Sequence, residues 1–162
     1  MVVFITEIGE QARRSDVAVF MASNFALGAV LMMHLAKIAA KYLDYVEITE
    51  LHHHLKADAP SGTALMTARE MVKARGKQFL RPVEKVVFAS RGQEIEGVTI
   101  HSVRLPGFMA HQEVIFGAAG QTLTIRHDTI NRECYLPGVI MAVKEVGKRE
   151  GLVYGLGALL NL

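Results

Sequence analysis

Four segments in the second half of the chain carry the pattern of β-strands. They are separated by turns that contain glycine, and their sequences are EKVVFAS, GVTIHSVRL, HQEVIFGA and QTLTIRHD. In the last segment Leu123, Ile125 and His127 alternate with polar residues, as the two faces of a strand require. Sheets with one covered face show this alternation. We therefore predict an open sheet, antiparallel or mixed, with helices packed on one face.

The helices that would cover this sheet are predicted on both sides of the strand segments. Residues 26–43 have the length and the Ala/Leu/Met content of a helix. A second helix follows Ser61, its predicted N-cap, because apolar residues recur there at helical spacing. Residues 130–149 are predicted to form a closing helix, which Pro137-Gly138 would kink or interrupt.

Two further strands are predicted in the first third of the chain. Residues 16–22 form a short apolar run that is typical of a buried parallel strand. Residues 45–54 alternate, which would place His52 and His54 on one face and His53 on the other. Together these elements predict an α+β fold, an open mixed sheet whose uncovered face we expect to lie in an oligomer interface.

Length, charge and cysteine content narrow the function classes. The 162 residues suffice for one main domain with a core, and the 18 basic and 16 acidic residues form no basic run, so we expect no nucleic-acid partner. The charge-free segment Val17–Met33 is shorter than the roughly 20 apolar residues of a membrane span, so we expect no membrane partner. The N-terminus lacks a signal-peptide pattern, and Cys134, the single cysteine, fits a cytoplasmic protein.

A polar stretch joins the second strand to the helix after it, with the sequence ELHHHLKADAPSGTAL beginning at Glu50. One interpretation is a metal site, because His52 and His54 on one side of a strand would chelate an ion with Asp58 or Glu50 nearby. Lys56 would then place a competing cation beside the metal. The alternative is that this stretch has no function and is polar only because it contains the end of a strand and the start of a helix.

The anion-site interpretation uses more of the same stretch. A helix that starts at Ser61 leaves the backbone N–H groups of Gly62 and Thr63 without intrahelical partners, at the positive end of the helix dipole. Such an end binds carboxylate or phosphate. Lys56 and the histidines would add positive charge and a proton donor that titrates near neutral pH. This arrangement suits a small acidic substrate that must be protonated.

The same stretch resembles the signature of the dihydrodipicolinate reductase family, Glu-x-His-His-x-x-Lys-x-Asp-x-Pro-Ser-Gly-Thr-Ala, at every fixed position. ASNFALG resembles the family's Ala-Pro-Asn-Phe-Ser-x-Gly segment, from which Ser23 and Ala26 depart, and RECYLPGVIMAV resembles its closing helix. The resemblance implies an enzyme of diaminopimelate and lysine biosynthesis. Such enzymes reduce a cyclic imine dicarboxylate to tetrahydrodipicolinate with NADH or NADPH, as tetramers.

The resemblance also implies roles for the residues of the central signature. His52 corresponds to the general acid/base and His53 to a substrate-binding neighbour. Lys56 corresponds to a lysine that assists protonation and holds a carboxylate, and Gly62 and Thr63 to backbone donors to a carboxylate. No metal is implied.

Two flanking segments receive roles in the same way. Ala22, Ser23, Asn24 and Phe25 correspond to the segment that contacts the nicotinamide end of the cofactor. Arg132 corresponds to a second substrate-proximal arginine, with a surface charge near a helix start as the alternative.

The family's glycine-rich pyrophosphate turn has no counterpart in the first turns of this sequence. We therefore expect residues 1–22 to be a remnant of a Rossmann-type nucleotide domain. Residues 23–150 would form the substrate-binding and oligomerisation domain, and residues 151–162 a tail that returns to the nucleotide domain. Such a chain would bind a dicarboxylate with little reductase turnover by itself. The alternatives are a non-catalytic oligomerisation module and a metal-dependent β-sheet enzyme using His52 and His54.

Overall fold

The computed structural model describes residues 2–82 and 89–162. Its helices are α1 (Val2–Arg14), α2 (Leu27–Ala39), α3 (Gly62–Arg75), α4 (Leu136–Val146) and α5 (Gly157–Leu160). Its strands are β1 (Val19–Met21), β2 (Tyr45–His52), β3 (Gln93–Ile95), β4 (Val98–Arg104), β5 (Ala110–Ala118), β6 (Gln121–Thr129) and β7 (Leu152–Tyr154). Most of the predicted strand EKVVFAS lies outside the described residues, and Ala89–Arg91 at its end form a 3-10 turn.

The chain divides into two compact units, one of Met1–Val30 with Arg132–Leu162 and the other of Leu31–Asn131. The second unit contains a five-stranded sheet in the order β3-β4-β2-β5-β6. The central strand β2 runs parallel to β4 and antiparallel to β5. The sheet is therefore open and mixed, and the predicted α+β fold is confirmed.

Helices α2 and α3 cover one face of this sheet. Along β2 the buried positions alternate with half-buried ones, so that Val46, Ile48 and Glu50 point to the covered face. The core combines residues from both helices, from the turn after α2 and from three strands: Met32, Ala36, Ala40, Ala64, Ala68, Met71, Val46, Ile48, Val98, Ile100, Val114 and Phe116. Small alanines on the helices let the helix backbones approach the branched and aromatic residues of the sheet.

The first unit is built around a two-stranded parallel sheet. In this sheet β1 pairs with β7, in the register Val19 with Leu152. The tail after Gly151 therefore forms a strand and a short helix. The pairing continues just beyond β7, where the Gly155 amide donates a hydrogen bond to the Met21 carbonyl at 2.7 Å.

Two element boundaries differ from those predicted. Strand β2 ends at His52, and the chain turns at the following residues, so His54 does not continue the alternation that would place it beside His52. Pro137 lies in the first turn of α4 and neither kinks nor interrupts it. A proline there costs no hydrogen bond, because the amides of the first turn have no intrahelical acceptor. Within residues 2–82 and 89–162, no helix is both long and apolar enough to cross a membrane.

Candidate functional site

The parallel strands β2 and β4 end at the same edge of the sheet, and their last residues are paired. His52 is the register partner of Arg104, and Glu50 that of Ser102. Side chains two residues apart on a strand share a face, so Glu50 and His52 both lie on the helix-covered side. This edge thus brings together an imidazole, a carboxylate and a guanidinium.

Glu50 is the centre of this cluster. Its carboxylate is fully buried and accepts hydrogen bonds from His52 Nδ1, from both terminal nitrogens of Arg104 at 2.9 and 2.7 Å, and from the Ser61 amide at 3.3 Å. Burial alone would raise the pKa of Glu50, but hydrogen bonds from His52, Arg104 and Ser102 outweigh it and lower the pKa to about 2. The carboxylate therefore stays ionised near neutral pH.

Arg104 connects the strand ends to the loop that follows β2. Besides its two bonds to Glu50, it donates to the backbone carbonyl of Asp58 at 2.7 Å. The sequence pattern predicts neither this arginine nor the central position of Glu50, which it suggests only as a metal ligand. The two residues are distant in the sequence, and only the pairing of β2 with β4 brings them together.

The same loop carries Lys56, whose ammonium donates to the Asp58 carboxylate at 2.7 Å. This lysine is mostly buried, with 23% of its side chain exposed, whereas 59% of the Asp58 side chain is exposed. The hydrogen bond from Lys56 lowers the pKa of Asp58. Arg104 binds the backbone carbonyl of Asp58, whereas Lys56 binds its carboxylate. Asp58 thus connects the predicted anion-binding lysine to the cluster that contains His52, the predicted proton donor.

Helix α3 starts where this loop ends. Ser61 is its N-cap, as predicted, and its hydroxyl accepts a hydrogen bond from the Ala64 amide at 3.2 Å. The Ser61 backbone amide is bound by Glu50, so the helix start is fixed to the cluster. The amides of Gly62 and Thr63 precede the first intrahelical bond. A methyl group added at Gly62 would meet no atom within 4 Å, so the space in front of this helix end is open.

Two buried polar side chains link the start of α3 to the sheet by hydrogen bonds. Thr67 donates to the backbone carbonyl of Thr63 at 2.8 Å, and Gln112 on β5 donates to the Thr67 hydroxyl at 2.8 Å. Both side chains are buried in the core of the unit. They fix the first turn of α3 against the sheet.

The remaining two histidines of the signature lie in the turn after β2. His53 and His54 are both exposed, in contrast to His52, whose side chain is 13% exposed. Within residues 2–82 and 89–162, no group of three or more His, Cys, Asp or Glu side chains is arranged to hold a metal ion. The metal interpretation loses its geometric basis, because His54 does not share a strand face with His52.

The other predicted site residues belong to the first unit. Ala22 to Phe25 follow strand β1, and the Asn24 side chain accepts a hydrogen bond from the Ala26 amide at 2.8 Å. Gly138 of α4 approaches this segment so closely that an added methyl group would lie 2.1 Å from the Phe25 carbonyl oxygen. Arg132 is exposed in the 3-10 turn that precedes α4.

Comparison with known proteins yields consistent matches. The family described as "Dihydrodipicolinate reductase, C-terminus" matches residues 28–160. A 4-hydroxy-tetrahydrodipicolinate reductase of Dehalococcoides mccartyi is 54% identical over 158 residues, 98% of this chain and 60% of that protein. The enzyme of the same name from Dictyoglomus turgidum is 54% identical over 161 residues, 96% of this chain and 59% of that protein.

A solved structure, that of dipicolinate-bound dihydrodipicolinate reductase from Paenisporosarcina sp. TG-14, matches with a TM-score of 0.82 and 42% sequence identity. The match covers 95% of this chain and 59% of that chain. The present chain thus spans about three fifths of the length of the relatives that it matches. It belongs to the dihydrodipicolinate reductase family, in the part that corresponds to the C-terminal domain.

Proposed function

We propose that this chain is the substrate-binding part of a dihydrodipicolinate reductase. The complete protein would be an oxidoreductase of diaminopimelate and lysine biosynthesis that reduces a cyclic imine dicarboxylate to tetrahydrodipicolinate. The observation that carries the proposal is the cluster at the end of β2, where Lys56, the start of α3 and the His52–Glu50 pair belong to one hydrogen-bond network.

Each part of the cluster has a task in this reaction. Lys56 and the amides of Gly62 and Thr63 would hold one substrate carboxylate, because a cation and unpaired N–H groups are strong partners for an anion. His52 would deliver the proton as general acid, with His53 beside the substrate. Arg132 is proposed as a further contact to the substrate. The related structure from Paenisporosarcina holds dipicolinate, a small aromatic diacid, which supports the choice of a dicarboxylate.

The cofactor of the complete enzyme is proposed to be NADH or NADPH, which supplies hydride when bound. Ala22, Ser23, Asn24 and Phe25 fit its nicotinamide end, because they follow the carboxyl end of a parallel strand, where ligands of open α/β sheets bind. The pyrophosphate-binding glycine turn is not among the residues of this chain. We therefore expect this chain to bind dicarboxylate and to show little or no turnover in a coupled reductase assay.

Three further proposals concern organisation. Residues 1–22 and the tail 151–162 would belong to the nucleotide domain of the complete protein, and residues 23–150 to the substrate-binding and oligomerisation domain. The sheet face opposite α2 and α3 would form the contacts of a homotetramer. Cys134, as the single cysteine, fits a protein that works in the cytoplasm.

Binding of pyridine-2,6-dicarboxylate, measured by isothermal titration calorimetry, tests the proposed function. Removing a charged hydrogen bond to the ligand costs about 1.5–3 kcal/mol, so Lys56→Ala should weaken binding about 10- to 100-fold. Lys148→Ala is the matched control, because Lys148 forms a comparable 2.8 Å ion pair with Glu145 at another place. Equal binding by wild type and Lys56→Ala would contradict the proposed site. Absence of binding to wild type would favour the non-catalytic oligomerisation module.

A further inference from the structure

Three histidines in the described part of the chain share a carboxylate with an arginine. His52 and Arg104 share Glu50, and two similar trios lie on the other face of the sheet: His101 and Arg91 with Glu47, and His111 and Arg126 with Asp128. The trios differ in burial. The Glu50 side chain is 0% exposed, whereas Glu47 is 32% and Asp128 is 40% exposed.

Burial decides how strongly a carboxylate controls its histidine. An exposed carboxylate can replace a lost donor with water, whereas a buried one depends on its protein donors and forms stronger hydrogen bonds with them. The Glu50 side chain is fully buried, and its oxygens accept hydrogen bonds from His52, Arg104, Ser102 and the Ser61 amide. An ionised carboxylate only accepts hydrogen bonds, so His52 Nδ1 must carry a proton whenever this contact exists.

We propose that Glu50 is a positioning residue that fixes His52 in the Nδ1–H tautomer and leaves Nε2 as the nitrogen that exchanges the catalytic proton. The proposal rests on the proposed function, in which His52 is the general acid. Arg104 holds the same carboxylate in a two-bond contact and ties it to the Asp58 carbonyl. The carboxylate thereby fixes the proton donor and the start of α3 relative to each other, because it also binds the Ser61 amide.

The tautomer of His52 in the ligand-free chain tests this role directly. We would measure ring ¹⁵N chemical shifts at a pH where the imidazole is neutral, with the His52 signals assigned from His52→Ala. Wild type should show the Nδ1–H tautomer. In Glu50→Gln the single amide oxygen accepts from Arg104, so the amide NH₂ group faces Nδ1 of His52. Because an NH₂ group donates, Nδ1 must then accept, and His52 should change to the Nε2–H tautomer. Glu50→Asp keeps an acceptor-only group and should keep the wild-type tautomer.

Glu47→Gln is the matched control, since Glu47 accepts from the His101 ring at 2.7 Å on the other side of the same strand. It should leave the His52 signals unchanged. A wild-type His52 that is mainly the Nε2–H tautomer would overturn the proposal, as would an unchanged His52 tautomer in folded Glu50→Gln. If Glu50→Gln does not fold, the spectra of wild type and Glu50→Asp still test the proposal, because both should show the Nδ1–H tautomer.

This result is separable from the test of the proposed function. The tautomer is measured without any ligand, whereas the proposed function depends on dicarboxylate binding by wild type. A correct tautomer without dicarboxylate binding would refute the function and keep the geometry. Dicarboxylate binding with the wrong tautomer would refute only the role of Glu50.

Discussion

At the scale of single residues, the ionised state of Glu50 links the site to the stability of the fold. Its pKa of about 2 in the folded chain lies below the ordinary value of 4.5, so ionisation of this group stabilises the fold. That stabilisation is complete above about pH 4.5 and is lost as the pH falls through about 2. A difference of this size corresponds to about 3 kcal/mol.

This linkage gives a prediction for acid unfolding. The free energy of unfolding, measured with urea between pH 7 and pH 3, should fall more steeply for wild type than for Glu50→Gln, which has no proton to gain at this position. Glu47→Gln, which removes a carboxylate that is 32% exposed in wild type, should follow wild type more closely. Parallel curves for wild type and Glu50→Gln would show that Glu50 is not the group responsible.

The sequence pattern points to the imidazole and the ammonium of the candidate cluster, but not to the carboxylate and the guanidinium that hold them. His52, Lys56 and Ser61 lie in one short stretch, so their spacing and the predicted helix start bring them together on local grounds. Arg104 lies on another strand, and only the register between β2 and β4 places it on Glu50. Registers of non-local strands depend on tertiary packing, which a local pattern does not contain.

At the scale of elements, the start of α3 combines a capped helix end with open space. Gly62→Ala should leave the free energy of unfolding within about 0.5 kcal/mol of wild type, because the added methyl meets no atom within 4 Å. The same methyl would occupy the space through which a carboxylate approaches the amides. We expect at least about a tenfold loss of pyridine-2,6-dicarboxylate affinity by calorimetry, a cost of about 1.4 kcal/mol. Unchanged affinity would place the anion elsewhere.

Helix α4 contains the opposite case, a glycine at which the structure leaves no room for a side chain. Gly138→Ala would bring a methyl group to 2.1 Å from the Phe25 carbonyl, so backbone must move at a cost of about 1–3 kcal/mol. The amides of β1 and β7 should then exchange hydrogen up to about 100-fold faster. Gly147→Ala, where an added methyl meets nothing within 4 Å, should leave exchange unchanged. Equal protection in both variants would show that this contact does not stabilise the unit.

Element ends were harder to predict than element types. The closing helix was expected to begin at residue 130, but a 3-10 turn precedes α4, which begins at Leu136 with a proline in its first turn. Alternation predicts a strand from residue 45 to residue 54, although the ladder partners of β2 end at His52. In both cases the alternation or the composition extends beyond the hydrogen-bonded residues, and hydrogen bonding defines where an element begins and ends.

At the scale of the whole molecule, the α+β fold followed from period-two patterns and helix composition alone. The pairing of β1 with β7 was not predicted, because each strand has only three residues and the two lie at opposite ends of the chain. Periodicity alone predicts neither the proposed diacid substrate nor the nucleotide domain expected in the complete protein, and both expectations rest on the family resemblance.

The central claim is that a substrate carboxylate binds at the start of α3 beside Lys56. The most direct measurement follows the backbone amide resonances of Gly62 and Thr63 in ¹H–¹⁵N spectra while pyridine-2,6-dicarboxylate is added to the chain. We predict that both amides shift in a saturable manner in wild type, and that the shifts need much higher ligand concentrations in Lys56→Ala. Saturation of the protein with both amides unmoved would contradict the account.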